Sequence, residues 1–74
     1  MQQIEFHLRG EFIELHSLLK ALGLADSGAA GKAMVARGSV SVDGQVESRK
    51  TAKIRAGQVV SLPGTRVRVL PPEA

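Results

Sequence analysis

The stretch that decides the fold is Gly38-Ser39-Val40-Ser41-Val42-Asp43-Gly44. Val40 and Val42 alternate with Ser39 and Ser41, the period of a strand with one covered face. Asp43-Gly44 suits a two-residue hairpin turn, whose central positions both take positive φ. Val46 resumes the alternation beyond it. A hairpin therefore stands in mid-chain.

Upstream of the hairpin the hydrophobic period lengthens to that of helices. One helix is predicted to start near Asp26-Ser27, where either side chain can cap the free N–H groups of a first turn. Ala29, Ala30, Ala33, Met34 and Val35 continue it and Gly38 ends it. Gly31 inside that helix costs up to about 1 kcal/mol against Ala, which points to close approach by another helix or by a ligand. An earlier helix is predicted over residues 11–22, where Phe12, Leu15, Leu18, Leu19 and Leu22 share one stripe and Gly23 supplies the stop. Glu11 and Glu14 would then occupy its first turn. Ile13 would lie about 150° from the stripe, either exposed or touching a second element such as the first strand. Before Gly10, Ile4, Phe6 and Leu8 alternate with Glu5 and His7, the pattern of a half-buried strand.

Downstream, residues 49–55 read Arg-Lys-Thr-Ala-Lys-Ile-Arg, a basic crossing segment with Ile54 as its only large apolar anchor. Ala56-Gly57-Gln58 turns into a strand over 59–62, Pro63-Gly64-Thr65 turns again, and Arg66-Val67-Arg68-Val69 closes the sheet. Pro71-Pro72 ends regular structure, so 71–74 reads as a loose tail. The expected class is α+β: a short N-terminal strand, two helices, then a small antiparallel sheet, all in one domain over 1–74.

A chain of 74 residues has room for one domain and buries only about 60% of its unfolded surface, so its stability should be a few kcal/mol. Cysteine is absent, which excludes disulfides, zinc knuckles and thiol catalysis, and favours a reducing cytoplasm. The N-terminus lacks a signal peptide's basic and apolar regions, and no apolar run approaches the roughly 20 residues of a membrane span. Ten Lys and Arg against seven Asp and Glu give a net charge of +3. All of that excess lies after residue 37, where Arg49, Lys50, Lys53, Arg55, Arg66 and Arg68 face only Asp43, Glu47 and Glu73. A basic cluster at 49–55 suits a polyanion, and equally suits a solvated strand kept soluble by charge.

Catalytic constellations are missing. His7 and His16 have no Cys or second His nearby and read as surface residues. No metal, cofactor or enzymatic activity is expected. A Walker loop fails twice, since Ala33 follows Gly31-Lys32 and Asp26 stands five residues before Gly31. Gly28-Ala29-Ala30-Gly31 has the G-x-x-G spacing of a KH domain, although this chain closes in strands rather than a helix. What remains is a helix start with small residues and Lys32 one turn along. It can receive a phosphate on open N–H groups, or let two helices pack closely. Phe6 and Phe12 are the only aromatics, a poor supply for base stacking.

Taken together, these residues resemble the S-four RNA-binding domain, named for ribosomal small-subunit protein four. That family has two short helices, then Gly-x-Val-x-Val-Asn/Asp-Gly, then a later Gly-Asp-x-Ile/Val. Gly38-Ser39-Val40-Ser41-Val42-Asp43-Gly44 matches closely, and Gly57-Gln58-Val59-Val60 matches with Gln58 in place of Asp. The similarity runs from about Phe12 to Leu62. Ser27 falls on the family's Ser, Gly28 replaces its usual Arg, and Lys32 falls on a position that is typically basic. With Glu47-Ser48-Arg49-Lys50 and Lys53, the pattern resembles the stand-alone YbcJ/YaaA-like branch. The resemblance implies a two-helix alpha-L motif and a monomeric bacterial module that binds ribosomal or transfer RNA and associates with the ribosome. It implies an RNA-binding set of Ser27, Gly28, Lys32, Arg37, Arg49, Lys50, Lys53 and Arg55. An adaptor docking acidic proteins through the same strip is the alternative from another class.

Overall fold

The computed structural model describes residues 2–73. Alternating cover builds the first strand, β1 (Gln2–His7), with Ile4 and Phe6 turned inward. A short strand β2 (Ile13–Glu14) leads into helix α1 (Leu15–Ala21), followed by α2 (Gly28–Ala36). The hairpin strands are β3 (Ser41–Val42) and β4 (Gln45–Val46). Then come β5 (Lys53–Ile54), β6 (Val59–Leu62) and β7 (Thr65–Leu70).

Five strands form one sheet in the order β1-β7-β6-β3-β4. β6 pairs antiparallel with β7 and with β3, as the turn signals predict. β1 pairs parallel with β7, Gln2 opposite Thr65 and His7 opposite Leu70, so the sheet is mixed rather than wholly antiparallel. β2 and β5 form a separate two-stranded ribbon.

The core lies between the sheet and the helix pair. Leu15, Leu18 and Leu19 of α1 and Val35 of α2 are fully buried with Val40, Val60, Val67 and Val69. Each such side chain contributes about 1.5–3 kcal/mol relative to exposure. Along β7 the alternation is complete: Thr65, Val67 and Val69 are buried, while Arg66 and Arg68 stand on the open face. There Arg68 reaches Glu5 at 3.2 Å.

The hairpin turn has the expected geometry, with φ of 51° at Asp43 and 85° at Gly44. The Asp43 carboxylate accepts the Val59 N–H at 3.0 Å, which ties the turn to the start of β6. Gln58, in the family's Asp position, accepts the Arg55 N–H at 2.7 Å and donates to Asp43 at 3.4 Å. One amide thus serves the turn before β6 and the hairpin together, because it carries both a donor and an acceptor.

Several sequence expectations need correcting. Helix α1 begins at Leu15, not residue 11: Glu14 is still extended (φ −70°, ψ 144°), and Ile13 is paired with Ile54. Strand pairing of 13–14 overrides the helical period there. Phe12 therefore leaves the stripe and is 40% exposed. Glu11 and Glu14 precede the helix rather than occupying its first turn. His16 is not a surface residue; its side chain is 16% exposed. In the tail, Pro71–Glu73 has no regular structure, yet His7 meets the Pro71 carbonyl at 3.2 Å and Glu73 at 3.3 Å. Ala74 lies outside the described residues.

Gly31 is where helix packing demands glycine. A Cβ there would sit 3.0 Å from the His16 carbonyl oxygen, a backbone atom of α1, whereas a Cβ on Gly28 would meet nothing within 4 Å. Gly31→Val should lower the melting temperature by about 10 °C, since overpacking typically costs 1–3 kcal/mol in a domain this small. Gly28→Ala should leave it within a few degrees. Equal thermal melts for both variants would contradict the close approach.

Candidate nucleic-acid interface

Helix α1 has no side-chain N-cap, because Glu14 makes no capping bond. Its first N–H groups would be orphans without a partner. The backbone of the basic segment supplies the acceptors. Leu15 N–H donates to the Ala52 carbonyl at 2.9 Å, and His16 N–H to the Lys50 carbonyl at 3.0 Å. The segment is thereby laid across the start of α1. Its buried anchors are Ala52 and Ile54.

The same residue of α1 touches α2. The His16 carbonyl meets Gly31, and His16 N–H meets Lys50, so Lys32 and Lys50 flank one junction from two directions. Both are exposed. Ser27 Oγ caps α2 by accepting the Ala30 N–H at 3.1 Å. Gly28 and Lys32, four residues apart, share a helix face. Arg37 does not join them. It is the C-cap of α2, five residues and so about 140° around the axis from Lys32. The G-x-x-G segment is the opening of α2 itself, with Gly31 buried against α1, so it is not the free backbone clamp of a KH domain.

The β2–β5 ribbon sorts the rest of the segment. Directly opposed residues in an antiparallel pair share a face. Ile13 opposes Ile54 on the core side, and Glu14 opposes Lys53 on the other. Phe12 belongs with Lys53 and Arg55 on that outer side. Lys53 Nζ lies 4.9 Å and Arg55 Cζ 5.5 Å from the ring centroid, within cation–π range. Glu14 is taken up by His16, Oε1 to Nε2 at 3.1 Å. The spacing of Phe12 to Leu15 and Leu19 mimics a helix stripe, whereas the ribbon pairing sets it beside Lys53 and Arg55.

Arg49 is exposed and held by Glu47. The guanidinium donates to both carboxylate oxygens at 3.1 Å, and the Arg49 N–H donates at 3.0 Å. These bonds bring the Glu47 carboxyl from 4.5 down to about 2 and raise Arg49. Among the described residues Lys32, Lys50, Lys53 and Arg55 have no carboxylate partner, so four cations are free and Arg49 is shared. No group of three or more potential metal ligands occurs among the described residues.

A family model described as the S4 domain matches residues 6–70. The chain belongs to the S4 domain family. The match extends beyond the 12–62 span of the sequence pattern, since β1 and β7 belong to the same unit. Among curated relatives, this S4 domain is 52% identical over 58 residues to YbcJ of Escherichia coli K12, which carries a provisional RNA-binding designation. The alignment covers 78% of this chain and 83% of that protein. It is equally similar to a YbcJ of Shigella flexneri described as uncharacterized. The solution structure of E. coli YbcJ superposes with a TM-score of 0.71 at 45% identity, covering 95% of this chain and 90% of that one. That structure is described as revealing an αL motif involved in RNA binding.

The Glu47–Arg49 pair yields a pH prediction. The folded-state value of Glu47 lies below the ordinary 4.5, so the pair adds stability above that pH and loses it as pH falls toward about 2. A carboxyl-carbon NMR titration should place the Glu47 midpoint near 2 and, in Arg49→Ala, raise it toward 4.5 but short of it, because the backbone N–H of residue 49 still donates. A midpoint unmoved by Arg49→Ala would remove the pair as the cause.

Proposed function

We propose that this S4 domain is a non-enzymatic module that binds structured RNA, ribosomal or transfer RNA, and acts as a monomer in a bacterial cytoplasm in association with the ribosome. The single observation carrying the reading is the placement of the 49–55 segment. Its backbone caps α1, with the Lys50 carbonyl on the His16 N–H, and the His16 carbonyl in turn faces Gly31, next to Lys32 in α2. The αL motif named for the solved E. coli relative supports it. Phosphates are the fitting ligand for such a face, because cations that neutralise them release condensed counterions. Double-stranded RNA is read largely by shape and backbone, which needs Lys and Arg rather than deep pockets. The Glu47 grip orients Arg49 and limits the charge it offers. Arg37, displaced around α2, belongs to the margin of this face.

Two measurements on one titration test this. With four to five phosphate contacts, log K against log salt should slope between about −3 and −4.5. Lys32→Ala with Lys50→Ala should weaken binding to transfer RNA about tenfold at low salt. It should leave thermal stability nearly unchanged, because exposed charges contribute little. The matched control, Arg66→Ala with Arg68→Ala, removes equal charge from the open face of the sheet. Equal losses in test and control pairs would reduce the interaction to net charge and overturn the assigned face.

A further inference from the structure

We propose that Phe12 is a stacking site for an unpaired nucleobase at the end of the basic face. The inference rests on the RNA-binding reading above and adds to it a subsite for single-stranded nucleotides. Phe12 is one of only two exposed large hydrophobic residues among those described, the other being Val46 on the hairpin. Its ring is flanked by Lys53 and Arg55. It also forms one wall of an open cavity of about 490 Å³, lined by Phe6, Arg9, Gly10, Ile13, Ser17 and Ala21.

The chemistry of this hollow fits a base with its phosphate. The walls from Phe6, Phe12, Ile13 and Ala21 are apolar, and a base offers a π-face to such a wall whatever its identity. The Ser17 hydroxyl and the Arg9 guanidinium are the hydrogen-bonding side chains in the lining, suited to the acceptors on a base edge. Lys53 and Arg55 already hold positive charge against the ring. They are also the last two cations of the 49–55 segment, so one RNA strand can leave Lys32 and Lys50 and follow the segment to Phe12. Arg9 lines the hollow and Lys53 and Arg55 lie over the Phe12 ring, while of the nearby carboxylates Glu14 is occupied by His16 and Glu11 stands next to Phe12, which leaves a positive excess. That charge balance favours a nucleotide over an apolar peptide.

The chain contains no Trp or Tyr, so Phe12→Trp makes a single-fluorophore reporter. The test compares a short RNA duplex bearing a single-stranded overhang with the same duplex blunt-ended. Phe12→Leu should lower affinity for the overhang duplex about tenfold, in line with the known loss from removing one stacked base, and change the blunt duplex less than twofold. Phe12→Trp should keep wild-type affinity, and its emission should be quenched by the overhang duplex and not by the blunt one. Equal effects of Phe12→Leu on both duplexes, or no quenching, would overturn the stacking site while binding by the wild-type chain leaves the RNA reading standing. Quenching by polyglutamate as strong as by RNA would assign the hollow to an acidic protein segment and overturn the proposal. A wild-type chain that binds neither duplex would remove both readings. If Phe12→Leu melts below the wild type, the quenching arm decides alone.

Discussion

His16 is the point on which the arrangement depends. Its N–H holds the Lys50 carbonyl, its carbonyl leaves no room for a side chain at Gly31, and its ring holds Glu14. Three segments far apart in sequence meet there: the end of β2, the opening of α2 and the basic crossing. An ordinary Ser or Asp cap would satisfy one of the first-turn donors by itself and leave the crossing segment's carbonyls fewer to hold. Because α1 lacks one, the basic segment is fixed where its side chains can act together. Two-residue ribbons are weak by themselves. The Ile13–Ile54 pair gains its hold from burial of Ile54 in the core.

On the proposed reading, binding follows from this constraint through position rather than through any reactive group. Placing Lys50 and Lys32 on either side of one helix junction concentrates charge that the composition only hints at. Of the cations outside Lys32 and the 49–55 segment, Arg9 lies between β1 and β2, Lys20 in the last turn of α1, Arg37 at the end of α2, and Arg66 and Arg68 on the open sheet face, where Arg68 is engaged with Glu5. Charge alone would attract a polyanion anywhere on the surface. On the proposed reading, the capping bonds and the close helix contact give it a preferred side.

Much of this was legible in the sequence where the signal is local. The Ser27 cap, the Asp43-Gly44 turn and the strands at 59–62 and 65–70 are each announced by neighbouring residues, and so is the S4 family itself. What escaped is non-local. The parallel pairing of β1 with β7 joins the two ends of the chain, and nothing in Ile4-Glu5-Phe6 names its partner. The β2–β5 ribbon is too short to show a period, so Phe12 and Ile13 were absorbed into a helix. His16 gave no sign of its partial burial, because Gly31 and Lys50, which lie against it, are distant in sequence. Gln58 departs from the family's Asp, and its amide bonds in two directions, to Arg55 and to Asp43, which no local pattern announces.

Amide shift mapping tests the central claim most directly, since it reads every backbone position at once. On titration of the isotope-labelled chain with transfer RNA, the largest changes should fall on residues 27–32 and 49–55, with the N–H of His16 among them. The strand carrying Arg66 and Arg68 should stay nearly unmoved. Largest shifts on β7 and β1, with 49–55 silent, would contradict the account and place the interface on the open face of the sheet.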